Sequence, residues 1–334
     1  MTASEPRYPA DRPYPERGTG PRAAHDGNPD TLGLHEGRVH ITARHRGIDV
    51  TTIGHLALHI PNVLLSLVIV TGLSLVLAEL TSLSPWMWVG LWSASGALAF
   101  LRPVENLLAR LIFGLHHPTP DELAKLRPIW REVTARAGVD AAGYTLWIEE
   151  SADINAAAPG GHIVSVTRHA VERLPDGQLA AVLAHELGHH VGGHAWSTLM
   201  TYWYSLPGRL AWRLLLMGIL MARRRSPIVG EAIVLTLAAA AFVSVVLTNG
   251  LVLLFVTGPF LISAVARSSE LRADRYASGL GLTSQLTALF SGPLAEEPAG
   301  KETGGAALLA RLLASHPDSR ARLHALNRHT GDRQ

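Results

Sequence analysis

The chain has 334 residues, 48% of them hydrophobic and 17% charged, with a formal net charge of +2. It contains no cysteine, which excludes disulfides, thiolate ligands and a cysteine nucleophile, so any zinc site must use nitrogen and oxygen donors. A mean hydropathy of +0.19 points to membrane spans beside a folded domain, while the scattered arginines, with lysine only at Lys125 and Lys301, form no basic and aromatic patch of the kind that binds nucleic acid.

Residues 1–52 are rich in Pro, Gly, Arg and Asp and lack apolar periodicity, so they read as a disordered tail. Two apolar runs follow, at 63–80 and 86–101, joined by a short Ser/Thr/Pro segment. They predict a transmembrane hairpin within residues 53–105, with Trp86, Trp88 and Trp92 near one interface. Arg38, Arg44 and Arg46 precede the hairpin and Arg102 and Arg110 follow it, whereas its connection carries no basic residue. By the positive-inside rule the tail and the part after the hairpin face the cytoplasm.

Residues 106–198 read as the first part of a catalytic domain. Thr119 and Glu122 have capping-box spacing, Pro120 suits a first helical turn, and Leu123, Leu126, Trp130, Val133 and Ala137 form one stripe, with Pro128 expected to kink the helix. Residues 144–148 alternate as a strand, and 153–157 and 162–167 are expected to pair across a Gly-rich turn. An edge strand there can receive an extended peptide, with Asn155 and Ala156 as candidate contacts.

The most informative segment is His185-Glu186-Leu187-Gly188-His189. Two imidazoles four residues apart on a helix point the same way and can hold zinc, with the intervening carboxylate placed as a base. A chance match is the alternative in a chain with 17 histidines, but the context is helical. Asp176 can cap the start, Gly192 and Gly193 can end it, and Ala180, Leu183, Ala184, Leu187 and Val191 fall on a separate apolar stripe.

Residues 199–266 form a second apolar block, read as a membrane insertion of two helices. The first contains Arg209 and Arg213; the second, 232–266, is too long for one straight span of a roughly 30 Å core and cramped for two. Either both span, leaving Arg223, Arg224 and Arg225 on the far face, or the first lies along the interface and the second folds back near Asn249. Four spans in all is the expectation. After the insertion, residues 267–334 read as the second part of the catalytic domain. Glu270 and Asp274 share a helix face, so Glu270 can be the third zinc ligand while Asp274 accepts the ring N–H of a ligand histidine. His194 is a lesser candidate ligand. A solvated charged face is the alternative for the acidic pair taken alone.

The HELGH segment, the RSSELRAD segment across a membrane insertion, the late Ser315-His316-Pro317 with Arg322-Leu323, and Asn155-Ala156 ahead of the metal helix together resemble the HtpX-type and CAAX prenyl protease family of membrane zinc metallopeptidases. The similarity runs over roughly residues 55–330, and Ala157 departs from the phenylalanine that commonly follows the Asn-Ala pair. The resemblance implies a mainly α fold with a small β-sheet, a zincin-like domain combined with transmembrane helices, and peptide-bond hydrolysis at the membrane surface. It implies one Zn2+ per chain on His185, His189 and Glu270, Glu186 as general base, Asp274 behind a ligand, and His316 or Arg322 orienting the metal shell or steadying an oxyanion. The expected partners are peptide or membrane-protein substrates and the lipid bilayer, not nucleic acid. The expected setting is multi-pass in a bacterial plasma membrane with the catalytic part in the cytoplasm, in quality control or processing. A non-catalytic zinc-binding scaffold and a transporter are the rival classes.

Overall fold

A computed structural model describes residues 28–33, 49–111, 113–151, 156–248, 253–292 and 318–331. The fold is mainly helical with one small sheet, as the sequence leads one to expect. Helix α1 (Val50–Thr81) and helix α2 (Pro85–Leu98) form the first hairpin, and α3 (Arg102–Leu111) leads into the domain that follows. Strand β1 (Leu115–His116) precedes helix α4 (Pro120–Ala137), whose capping box between Thr119 and Glu122 is formed in both directions. Such a cap is worth about 1 kcal/mol.

Strands β2 (Thr145–Glu149), β3 (Ala156–Gly160) and β4 (Ile163–Thr167) complete a four-stranded sheet of order β1-β2-β4-β3. Strand β4 runs parallel to β2 and antiparallel to β3, which leaves β3 at an edge. The β3–β4 turn lies later than the sequence suggests, because Gly160 and Gly161 take φ of 150° and 55° and the reversal falls on them. Residues 157–160 consequently stay in the strand, with a register irregularity that accommodates Pro159 at the edge.

Helices α5 (Arg168–Arg173) and α6 (Asp176–Val191) pack on this sheet. Leu126, Val133, Ile148, Val164, Leu179, Leu183 and Leu187 are all buried in the resulting core, so the apolar stripes of α4 and α6 face each other across the sheet end as their spacing requires. The start of α6 differs from the expected one. Pro175 occupies the cap position without a side-chain bond, and Asp176 is already helical. The buried first-turn amide of Gly177 instead donates to the carbonyl oxygen of Asp30, and the Gln178 side chain donates to the Asp30 carboxylate at 2.8 Å. Residues 28–33, within the stretch read from sequence as a tail, thus supply the missing cap from far away in the chain.

After α6 the chain runs out through α7 (His194–Arg225), reverses at Ser226 and returns through α8 (Pro227–Leu247), then α9 (Leu254–Gly279), α10 (Thr283–Ser291) and α11 (Ser319–Gly331). The Arg223–Arg225 triplet therefore sits at the far tip of the α7–α8 pair, and Arg223 is ion-paired with Glu231. The long apolar stretch is broken between α8 and α9, and its last third continues without interruption into the helix that carries Glu270. Among the described residues three helices, α1, α7 and α8, are long and apolar enough to cross a membrane. Helix α2 falls short of the expected fourth span: 14 residues at 1.5 Å each reach about 21 Å, against a core of roughly 30 Å.

The polarity of α1 is inverted relative to a helix of a soluble core. Its buried residues are Thr52, His55, His59, Ser66 and Ser74, while Leu64, Val68, Leu75 and Val76 are exposed. Lipid tolerates the apolar face, and the hydroxyls are satisfied within the bundle, as where the Ser66 hydroxyl accepts from the Gly208 amide at 3.0 Å. That contact fixes α1 and α7 in close parallel packing. A cysteine pair introduced as Ser66→Cys and Gly208→Cys into this cysteine-free chain should cross-link in oxidant, read as a faster band in non-reducing electrophoresis; absence of the cross-link would contradict the pairing of α1 with α7.

Candidate metal centre

Helices α6 and α9 cross at Gly188. A Cβ placed there would lie 3.1 Å from the Ala273 Cα and 3.2 Å from the Tyr276 Cβ, so glycine on one helix and alanine on the other set the separation. Three residues before this contact on each helix, His185 on α6 and Glu270 on α9 turn toward each other, and His189 lies one turn on from His185.

The donor atoms converge. His185 Nε2 and His189 Nε2 are 3.3 Å apart, Glu270 Oε2 is 3.4 Å from His185 Nε2, and Glu270 Oε1 is 3.2 Å from His189 Nε2. A tetrahedral zinc with bonds of about 2.0–2.1 Å holds its ligands about 3.3–3.4 Å from one another, so the spacing fits this ion. The three are buried and are the one such set of His, Asp and Glu among the described residues.

Each ring is also held from behind. His185 Nδ1 bonds Asp274 Oδ1 at 2.8 Å, leaving Nε2 for an ion, and His189 Nδ1 lies 3.4 Å from the Ser269 hydroxyl. Asp274 is gripped in turn by Arg322 from α11, Nε to Oδ2 at 2.8 Å and Nη2 to Oδ1 at 2.5 Å. The guanidinium also lies over the Phe290 ring of α10, 4.1 Å from its centroid. Burial pushes the Asp274 carboxyl up, but its bonds with Arg322 and His185 outweigh this and hold it below the ordinary aspartate range. Burial likewise pushes His185 down, yet Asp274 and Glu270 as acceptors and the charge of Glu186 raise it to about 10.

Glu186 is buried within α6 beside these rings, 5% exposed. His190 faces the other way and donates from Nε2 to the Ile163 carbonyl of β4 at 2.9 Å. Burial drives it down to about 4, so it stays neutral and pins the metal helix to the sheet. Sequence reading did not single out His190, Ser269 or Phe290, since nothing in local spacing announces a contact between separate elements. His194 does not join the ligand set; its ring centroid is 5.5 Å from that of His189. Ala156 opens the edge strand β3, opposite Val166 of β4. Asn155 and His316 lie outside the described residues.

Comparison with protein families finds that residues 120–330 match the family described as Peptidase family M48. No curated protein and no solved structure gives a significant match.

Two outcomes follow from this geometry. Gly188→Val would force α6 and α9 apart and overpack the crossing, at about 1–3 kcal/mol; metal content measured by mass spectrometry should fall well below one ion per chain in folded protein, and full metal retention would refute the spacing argument. Because His185 is raised to about 10 without metal, it is protonated below that pH and must shed a proton to bind an ion. Apparent metal affinity should thus drop about tenfold per pH unit below 10, with close to one proton released per ion in calorimetry across buffers of different ionisation enthalpy.

Proposed function

The chain belongs to peptidase family M48, a family of metallopeptidases, and on that premise we propose that it is a membrane-integrated zinc-dependent endopeptidase. The observation that carries this reading is the convergence of His185, His189 and Glu270 at 3.2–3.4 Å, backed by Asp274 and Arg322. His185, His189 and Glu270 would hold one zinc ion, which when bound supplies the Lewis acidity that activates water and polarises the scissile carbonyl.

The chain's own groups do the rest. Glu186, one residue from a ligand and buried away from bulk water, accepts the proton of the attacking water and returns it to the leaving amine. Asp274 fixes the tautomer of His185, and Arg322 keeps Asp274 ionised and aimed. The edge of β3, starting at Ala156, offers backbone groups to which an extended substrate can add as a strand; Asn155 just before it belongs to the same proposed contact. His316, which the family resemblance pairs with Arg322, is proposed to orient the metal shell or steady the oxyanion.

The catalytic domain is on this reading discontinuous, made of residues 106–198 and 267–334 around the insertion at 199–266. The start of α1 is tied to it, since Asp49 and Thr52 both donate to the Gly192 carbonyl and Arg272 is ion-paired with Asp49. A site held this close to apolar helices suits substrates presented at a bilayer, such as damaged or precursor membrane proteins. The arginine distribution around the first hairpin supports a site on the cytoplasmic side, in our reading that of a bacterial plasma membrane. A non-catalytic zinc scaffold is the weaker reading, because a closed structural site has no use for a buried carboxylate at Glu186.

Purified protein should cleave casein or an unfolded membrane protein, stop on chelation and recover with zinc. Glu186→Gln should keep its metal while losing about 10²- to 10⁴-fold in rate. Undiminished cleavage by Glu186→Gln would sink the mechanism, and no chelator-sensitive cleavage by the native chain would favour the scaffold.

A further inference from the structure

Beside the first centre lies a second group of imidazoles that the peptidase reading does not use. On α1, His55 and His59 stand four residues apart, the same helical spacing as His185 and His189, and their ring centroids are 4.3 Å apart. His194, the first residue of α7, brings its ring to 5.0 Å from that of His55. His55 and His59 are 7% and 6% exposed, within a stretch that is apolar on its outer side.

The hydrogen bonding leaves nitrogen donors without partners. His59 Nδ1 donates to the His55 carbonyl at 2.8 Å, which leaves its Nε2 lone pair available, the arrangement a metal-binding histidine uses. Nδ1 of His55 and Nδ1 of His194 are buried and make no hydrogen bond among the described residues. Orphaned polar nitrogens inside a protein call for an occupant.

We propose that His55, His59 and His194 form a second, weaker metal site that takes a zinc-like divalent ion. Three neutral imidazoles without a carboxylate suit zinc, copper or nickel rather than magnesium or calcium. The negative charges of Glu270 and Asp49 act on His194 and offset part of the ion's charge, while Arg209 acts on His59 and opposes it. Among the described residues only the first set already has its donors within 4.8 Å of one another, so an imidazole of the second set must turn to close the site. That rearrangement makes it the weaker of the two, and the chain then carries two ions at high free zinc instead of one.

The test is a count of bound zinc on the full chain in detergent, dialysed against buffered free zinc and measured by elemental mass spectrometry. The native chain should take one tight equivalent and then a second as free zinc rises. His55→Asn with His59→Asn should keep the tight equivalent, which certifies the fold, and lose the second; His185→Ala with His189→Ala should keep only the weak one. Saturation of the native chain at one equivalent, or two equivalents in the His55/His59 variant, would overturn the proposal. Should that double variant lose both ions, the single His55→Gln variant decides by the same count. A missing weak equivalent would leave the tight ion and cleavage intact, so this inference and the peptidase reading fail separately.

Discussion

The crossing of α6 and α9 at Gly188 and Ala273 is the constraint on which the rest of the architecture hangs. A metal centre needs donor atoms placed to within a few tenths of an ångström, and here they come from helices so distant in sequence that His185 and Asp274 are 89 residues apart. Side chains are too short to bridge a normal helix-to-helix gap and still meet at 3.2–3.4 Å. The small residues let the two backbones close in, and the sheet, α4 and α10 form the buried mass that holds them there. Between the two helices the chain is free to leave the domain and come back, which is what α7 and α8 do.

The apolar helices are not an appendage to that core. Helix α1 begins on the carbonyl that ends α6, and its buried polar stripe runs from beside the metal ligands down to Ser74. Polar groups gathered inside and apolar groups turned outward are what a low-dielectric surrounding selects, because an unsatisfied hydroxyl or imidazole facing hydrocarbon would be costly. The buried carboxylate Glu105 of α3, close to His162 at the β3–β4 turn, adds another tie between hairpin and sheet.

What the sequence made legible was local. The i, i+4 histidines, the Glu270/Asp274 pair, the Thr119 capping box and the glycines after Val191 all announce themselves within one or two helical turns, and the fold places each where its spacing implies. The start of α6 was misread because Asp176 has the right chemistry for a cap, and the actual acceptor, Asp30, sits on a segment with no periodicity at all. The length of α2 was overestimated because hydropathy does not report where a helix turns. Its chain continues apolar through Phe100 and Leu101 although the helix ends at Leu98. The imidazoles of α1 escaped notice for a related reason: their meaning depends on His194, which only the tertiary fold brings near.

Arg322 reaches Asp274 from 48 residues further along the chain. A polypeptide emerging from the ribosome thus has both imidazoles and all three acidic groups in hand well before the cation that steadies them. Until α11 docks, Asp274 lacks the guanidinium that clamps its carboxylate behind His185. The brace behind the donor set is thus the last part of the site to be made, after the donors themselves.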